Sequence, residues 1–208
     1  MAYTIAPRSP VDLGALLPME AQKEVFGVGS MTIRTNRAKE GDLRRARELL
    51  NLAIEEGVAY PYEHQMDSEG FRAYFLSHEA FVATVACADH TLVGEGVKVG
   101  EVVGIFYIKP NFPGRCDHIC NGGFVVPPKF RRQGIGRVLG EQFLSLAQAL
   151  GYEAAFFNLV FEDNEASVRL WRSLGFETTG WVPRAARRKN GGYQNALQLH
   201  RDLAKLPG

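Results

Sequence analysis

The sequence predicts one α/β (mixed α+β) domain, a mixed sheet with helices on both faces. Three observations carry that expectation. The chain has 208 residues, 46% hydrophobic and 23% charged, long and apolar enough for a single soluble domain with a sizeable core. Hydrophobic periodicity switches repeatedly between strand and helix spacing. The order of the runs (strand, helix, helix, three strands, helix, strand, helix, strand, strand) contains one crossover that makes two strands parallel. Charge is balanced, with Lys+Arg 24 against Asp+Glu 23. That balance and the apolar content exclude a disordered chain and leave no overall field for nucleic acid or an anionic membrane. No apolar run approaches the roughly 20 residues needed to span a bilayer. The N-terminus lacks the marks of a signal or transit peptide, and three cysteines make no disulfide framework. The expected location is therefore cytoplasmic.

Residues 1–28 read as an extended arm broken by Pro, Gly and Ser, with the domain proper at 29–208. Leu13, Leu16, Leu17, Val25 and Phe26 could dock the arm on the body. Met31–Arg34 is a short strand, and Gly41-Asp42 signals a helix start. Leu43, Ala46, Leu49, Leu50, Ala53 and Ile54 recur at helical spacing until Gly57. After Tyr60-Pro61-Tyr62 comes a short helix near Ser68–Ser77. Ala80–Ala86 and Glu101–Ile108 are strands joined by a hairpin containing Gly94, Gly96 and Gly100. Ile119–Val126 is a strand stopped by Pro127-Pro128, since proline cannot donate to a ladder. A helix follows from Ile135 to Leu150, with Gly151 just past its end. Ala154–Phe161 is an apolar strand, and Asp163 or Asn164 caps a helix ending at Leu174-Gly175. Phe176–Val182 and Tyr193–Leu199 close the chain as strands.

Several residues carry chemistry. Strand, then Arg131-x-x-Gly134-x-Gly136, then helix can hold a pyrophosphate: a helix start offers unpaired N–H groups, and glycine lets an anion reach the backbone. Lys129, Arg131, Arg132 and Arg137 precede any acid until Glu141. The register is neither a dinucleotide fingerprint nor a P-loop, and an ordinary glycine turn with solvated arginines explains these residues equally well. Asn158 stands among apolar neighbours in Ala154–Phe161, so its amide requires a partner, protein or ligand. Cys116, His118 and Cys120 alternate as if on one strand face, but the spacing fits no familiar zinc pattern, and no metal is expected. The charged run from Arg184 to Lys189 could seat a phosphate, though a solvated loop accounts for it.

Arg131-Arg132-Gln133-Gly134-Ile135-Gly136, preceded by Phe124-Val125-Val126-Pro127-Pro128, resembles the acetyl-CoA loop of the GCN5-related N-acetyltransferase family. Asn164-x-x-Ser167-x-x-Leu170-Trp171-x-x-Leu174-Gly175-Phe176 resembles that family's downstream motif. The resemblance runs from about Met31 to Leu199. It implies a mostly antiparallel sheet whose central parallel strands, 119–126 and 154–161, splay apart. It also implies acetyl-CoA as co-substrate, held by Phe124, Val125 and Val126 along the pantetheine arm. Arg131, Arg132, Gln133, Gly134, Ile135, Gly136 and Arg137 would hold the pyrophosphate, with Asn164 near the thiol. Most members carry a proton-donating tyrosine where this chain has Trp171, whose indole is no general acid. Asn164 is the candidate replacement, steadying the thiolate by hydrogen bonding.

Cys120-Asn121-Gly122-Gly123 and Phe157-Asn158-Leu159-Val160-Phe161 with Asn164 look like the fungal acetyltransferases that act on azetidine-2-carboxylate and related proline analogues. That likeness implies a small cyclic imino acid as acceptor, with Asn121, Asn158 and the Leu159 backbone holding it, and with Asn158 and Asn164 as catalytic candidates. Other small amines, a polyamine, a peptide N-terminus, or non-catalytic acyl-CoA binding are the alternatives. No base stands out among Glu63, His64, His118, Glu162 and Asp163, and water could serve. Family relatives are often dimers, which implies a homodimer with residues 11–26 as the candidate contact.

Overall fold

The computed structural model describes residues 5, 9, 11–25, 29–94 and 96–204. Its strands are β1 (Met19–Val25), β2 (Gly29–Arg37), β3 (Glu79–Ala88), β4 (Val102–Pro110), β5 (Ile119–Val125), β6 (Ala154–Phe161), β7 (Glu177–Arg187) and β8 (Tyr193–Asp202). Its α-helices are α1 (Leu43–Glu56), α2 (Ser68–Phe75), α3 (His90–Gly94), α4 (Ile135–Ala149) and α5 (Glu165–Ser173). The strands form one eight-stranded sheet in the order β1-β2-β3-β4-β5-β6-β8-β7. Every neighbouring pair is antiparallel except β5 and β6, which run parallel. The α4 crossover joins those two, as its position between the runs requires.

Helix faces follow the apolar spacing. Leu43, Ala46, Leu49, Leu50, Ala53 and Ile54 form the buried stripe of α1, which ends where Gly57 takes a left-handed φ of 70°. Asp67 caps α2 by accepting from the Gly70 N–H at 2.7 Å. Together α1 and α2 pack on one sheet face over Val82, Ile105, Tyr107 and Val125. On the opposite face α4 and α5 cover Phe106, Ile108, Cys120 and Phe157. The two helices meet closely at Gly140, where a Cβ would stand 2.4 Å from Leu174 Cδ1.

The N-terminal region differs most from expectation. Residues 19–25, within the expected arm, form edge strand β1, paired with β2 from Met19↔Thr35 to Val25↔Gly29. Leu13 and Val25 are buried in their own chain, so the arm's apolar residues dock intramolecularly, while Leu16 stays exposed; Phe26 lies outside the described residues. A short helix, α3, interrupts the β3–β4 hairpin. β5 starts at Ile119, so Cys116 lies in a preceding 3-10 turn and only Cys120 is in the strand. The alternation that invited a shared metal face is therefore not realised. The Arg184–Lys189 run is also no loop up to Arg187: it belongs to β7, with a bulge between Val182 and Ala186. Arg184 lies over the Tyr193 ring, and Arg188 pairs with Asp163 at 2.6 Å.

Candidate active site

The central strands separate almost as soon as they meet. β5 and β6 pair at Ile119↔Ala154 and Cys120↔Ala155 and no further. From Asn121 onward the β5 edge toward β6 has no neighbouring strand. An aromatic cluster holds the strands apart on the α4 face: Phe124 of β5 and Phe157 of β6 each pack on Trp171, with ring centroids 4.6 and 4.7 Å away. Trp171 is 4% exposed, and its Nε1–H donates to Ser167 Oγ at 3.0 Å. The indole is thus a packed wedge whose one polar group is occupied.

β6 itself is bulged at the split. Phe157 pairs with Leu199 and Val160 with Leu197, so Asn158 and Leu159 together stand opposite Gln198. Such a bulge bends a strand and re-aims its side chains. Leu159 faces outward, exposed, and Asn158 turns to the α1/α2 side of the gap. There it meets Asn111, in the turn after β4. Asn158 Nδ2 donates to Asn111 Oδ1 at 2.6 Å, and Asn111 Nδ2 returns a bond to Asn158 Oδ1 at 3.1 Å. Asn121 Nδ2 also donates to Asn111 Oδ1, at 3.3 Å, while its own oxygen accepts from the Gly122 N–H at 2.8 Å. The half-buried amide thus finds a protein partner, and three asparagines from three segments share one network. Each amide nitrogen has two hydrogens and each donates one of them to the network, so three N–H groups remain for a ligand.

Tyrosines line the gap beside this network. Tyr107 leans over Gly123, where a Cβ would stand 2.5 Å from the ring. Tyr74 and Tyr107 share a hydroxyl hydrogen bond at 2.9 Å, and Tyr62 stacks edge-on against Tyr74 at 5.1 Å. Burial pushes the hydroxyls of Tyr60, Tyr74 and Tyr107 well above their usual pKa, so they act as neutral donors and acceptors.

The glycine turn offers backbone donors at one end of the split. Gly134 takes φ 78° before α4 begins, and Arg132 is also left-handed at φ 59°. The first bonds to the helix start come from the N–H groups of Arg137 and Val138, both to Gly134 O. The amides of residues 132–136 therefore have no backbone acceptor among the described residues. They sit where the helix dipole is positive. Lys23 of β1 adds a cation: a Cβ on Gly134 would stand 2.6 Å from its Nζ. The arginines are less free than their sequence suggests. Arg131 donates to Val126 O and to Glu56 Oε2 of α1, at 3.1 and 2.7 Å. Arg137 pairs with Glu141 and donates to Ser173 Oγ, and Gln133 donates to Lys129 O. Arg132 is exposed and makes no side-chain bond among the described residues.

Asn164 caps α5. Its Oδ1 accepts from the Ser167 N–H at 3.2 Å, and its Nδ2 has no partner among the described residues.

The model of the acetyltransferase (GNAT) family matches residues 43–176. The chain belongs to the GNAT acetyltransferase family. It is 38% identical over 165 residues to the N-acetyltransferase aca1 of Schizosaccharomyces pombe, a match covering 76% of this chain and 78% of that protein. The structure of a GCN5-related N-acetyltransferase from Kribbella flavida superposes with a TM-score of 0.72 at 27% identity, over 82% of this chain and 97% of that one. A putative acetyltransferase from Salmonella typhimurium, yncA, solved with its cofactor acetyl-CoA, shares the fold with a TM-score of 0.70 at 19% identity, over 85% and 96%. This GNAT protein is accordingly an acetyl-CoA-dependent acetyltransferase, and its eight-stranded sheet with the single parallel step is the family architecture.

Of the candidate bases, Asp163 is bound through both oxygens by Arg188, which holds its carboxyl below the ordinary range and makes it a weak base. Glu63 and His64 lie exposed in the α1–α2 loop. No metal-holding group of three His, Cys, Asp or Glu occurs among the described residues, and no described helix is long and apolar enough to cross a membrane. Asn111, Lys23 and the Tyr74–Tyr107 pair escape a reading of the sequence. Asn111 stands in Pro110-Asn111-Phe112-Pro113, where turn chemistry alone explains an asparagine. Its partner is 47 positions away.

Proposed function

We propose that this enzyme acetylates the nitrogen of a small cyclic imino acid of the azetidine-2-carboxylate or proline type. The observation that carries the reading is the Asn111–Asn121–Asn158 network, a set of amides with unused N–H groups beside the free edge of β5. It complements a compact ligand bearing a carboxylate and an amine, since amide N–H groups donate to the first and amide oxygens accept from the second. Bound acetyl-CoA supplies the acyl group as a thioester. The unpaired amides of residues 132–136, with Lys23 and Arg132, bind its pyrophosphate, and the β5 edge at Phe124–Val126 aligns the pantetheine. The asparagine network orients the acceptor so that its nitrogen, once deprotonated by water or a neighbouring base, attacks the carbonyl carbon, and its remaining proton passes to water as the tetrahedral intermediate collapses. As the carbon–sulfur bond breaks, Asn164 Nδ2 donates to the departing sulfur while its Oδ1 remains in the helix cap.

Thiol release from acetyl-CoA in the presence of azetidine-2-carboxylate tests the assignment. Wild type is expected to release CoA at a rate that saturates with the imino acid. Release that depends on polyamines or peptides but not on imino acids would refute the substrate class. Asn158→Ala is expected to raise the acceptor KM by about 10- to 100-fold, the effect of losing one or two hydrogen bonds in a partly buried site. Its KM for acetyl-CoA should stay close to wild type.

Lys23→Met tests the turn separately. Loss of one partly exposed cation from a phosphate site is expected to raise the acetyl-CoA KM by about three- to tenfold. The effect should shrink at high salt because screening weakens exposed charges. Equal KM values for wild type and variant at low salt would remove Lys23 from the site.

A further inference from the structure

Lys109 is the cation of the acceptor side, and nothing in the family likeness assigns it a role. It lies near the end of β4, and its ladder partner on β5 is Asn121. Directly opposite residues of an antiparallel pair project from the same sheet face. Lys109 therefore emerges beside the asparagine network, on the side of the sheet that carries Tyr107. Its Nζ lies 4.2 Å from the ring centroid of Tyr74 and 4.5 Å from that of Tyr107. The two rings screen the ammonium from water, and burial pushes its pKa down to about 8. It makes no ion pair among the described residues.

The surroundings share one polarity. The three asparagines retain N–H donors, and the Tyr74 and Tyr107 hydroxyls remain neutral. Among the described residues, no Asp or Glu bonds to Lys109, Asn111, Asn121 or Asn158. A desolvated cation with spare donors and no acid is suited to an anion and hostile to a second positive charge. Cation–π contact with two rings offsets part of the ammonium's desolvation but brings no negative charge.

We propose that Lys109 and Asn121 form the carboxylate subsite of the acceptor pocket, so that the enzyme selects amino or imino acids with a free α-carboxylate over uncharged amines, amides and polyamines. The inference rests on the imino-acid reading above and adds to it the residue that recognises the acid group. A carboxylate there would neutralise Lys109 and accept from Asn121, leaving the ring nitrogen to the side of the gap near Asn158.

The test compares azetidine-2-carboxylate with azetidine-2-carboxamide by CoA release, using the full chain as wild type, Lys109→Met and Lys109→Arg. Wild type is expected to favour the acid by about 30-fold or more in kcat/KM, the scale of one charge-assisted hydrogen bond in a shielded site. Lys109→Met should bring that ratio close to one through the KM for the acid, and Lys109→Arg should keep a preference for the acid. Because burial disfavours the ammonium, Lys109→Met should melt no lower than wild type, which separates lost recognition from lost folding. Turnover of the acid with its preference intact in Lys109→Met would overturn the role of Lys109 and leave the imino-acid reading standing. Wild type that turns over the carboxamide as well as the acid would overturn the carboxylate subsite. Turnover of neither probe, with acetylation of polyamines or peptides, would overturn both.

Discussion

Asn164→Ala is expected to lower kcat by about 10²- to 10³-fold, the range seen when one fixed donor to a developing anion is removed. The argument starts at the amide's two ends. Oδ1 is committed to the Ser167 N–H, and Nδ2 is left to donate where α5 begins. In the mechanism proposed above, that donor steadies the leaving thiolate. The alanine variant also loses a helix cap, at a cost of about 1 kcal/mol, so a second variant separates the effects. Asn164→Asp keeps an oxygen to accept from Ser167 but replaces the N–H₂ group with negative charge. Its melting temperature should stay near wild type while kcat falls at least as far as in the alanine variant. Steady-state kinetics at saturating acetyl-CoA, with calorimetric melting of each protein, checks both. Wild-type kcat in Asn164→Asp would show that the residue is a cap and nothing more.

Trp171→Ala carries the largest expected loss of stability, about 3–5 kcal/mol, as for other large-to-small changes at buried aromatic positions. The indole touches rings from α4, from both central strands and from the residue just before β7: Phe143, Phe124, Phe157 and Phe176. Its removal would leave a cavity among rings that Gly140 and Leu174 already bring close. In a domain of this size each kcal/mol shifts Tm by about 2–4 °C, so the melting temperature should fall by about 10 °C. Trp171→Phe fills most of the space and should cost much less. It should also keep kcat within about threefold of wild type, because the residue transfers no proton. A kcat lost in Trp171→Phe while the fold is retained would give the indole a direct part in the chemistry.

Most of the fold could be read from the sequence because its strands and helices carry strong periodic patterns. The stripe from Leu43 to Ile54 and the two glycine-terminated helices of the second half appear where spacing and punctuation indicate. β1 was hidden because Glu20-Ala21-Gln22-Lys23-Glu24 has little intrinsic preference for a strand. It is a strand through its seven pairings with β2, an interaction no local window contains. The site divides the same way. Gly134 and Asn164 announce themselves through local geometry: a left-handed turn and a cap. Asn158 announces that it needs a partner without naming it. Asn111, Lys109 and Lys23 look like a turn residue and two surface charges, and they gain meaning only when strands distant in sequence lie side by side.

Asn121 also ties its side chain to its own strand: its oxygen fixes the Gly122 N–H at the point where β5 loses its neighbour. Further along the same strand Phe124 O accepts from the Tyr60 hydroxyl at 3.5 Å, and Val126 O, just past its end, accepts from Arg131 Nε at 3.1 Å.

The separation of β5 from β6 has a thermodynamic consequence. It is maintained by rings packed on Trp171, which form with the rest of the hydrophobic core. The entropy of shaping the slot is therefore lost once, when the chain folds. A ligand entering it has few residues left to order, so its affinity reflects contacts made rather than structure induced. Loosening the ring cluster would return that ordering cost to every binding event, weakening affinity through residues that never touch the ligand.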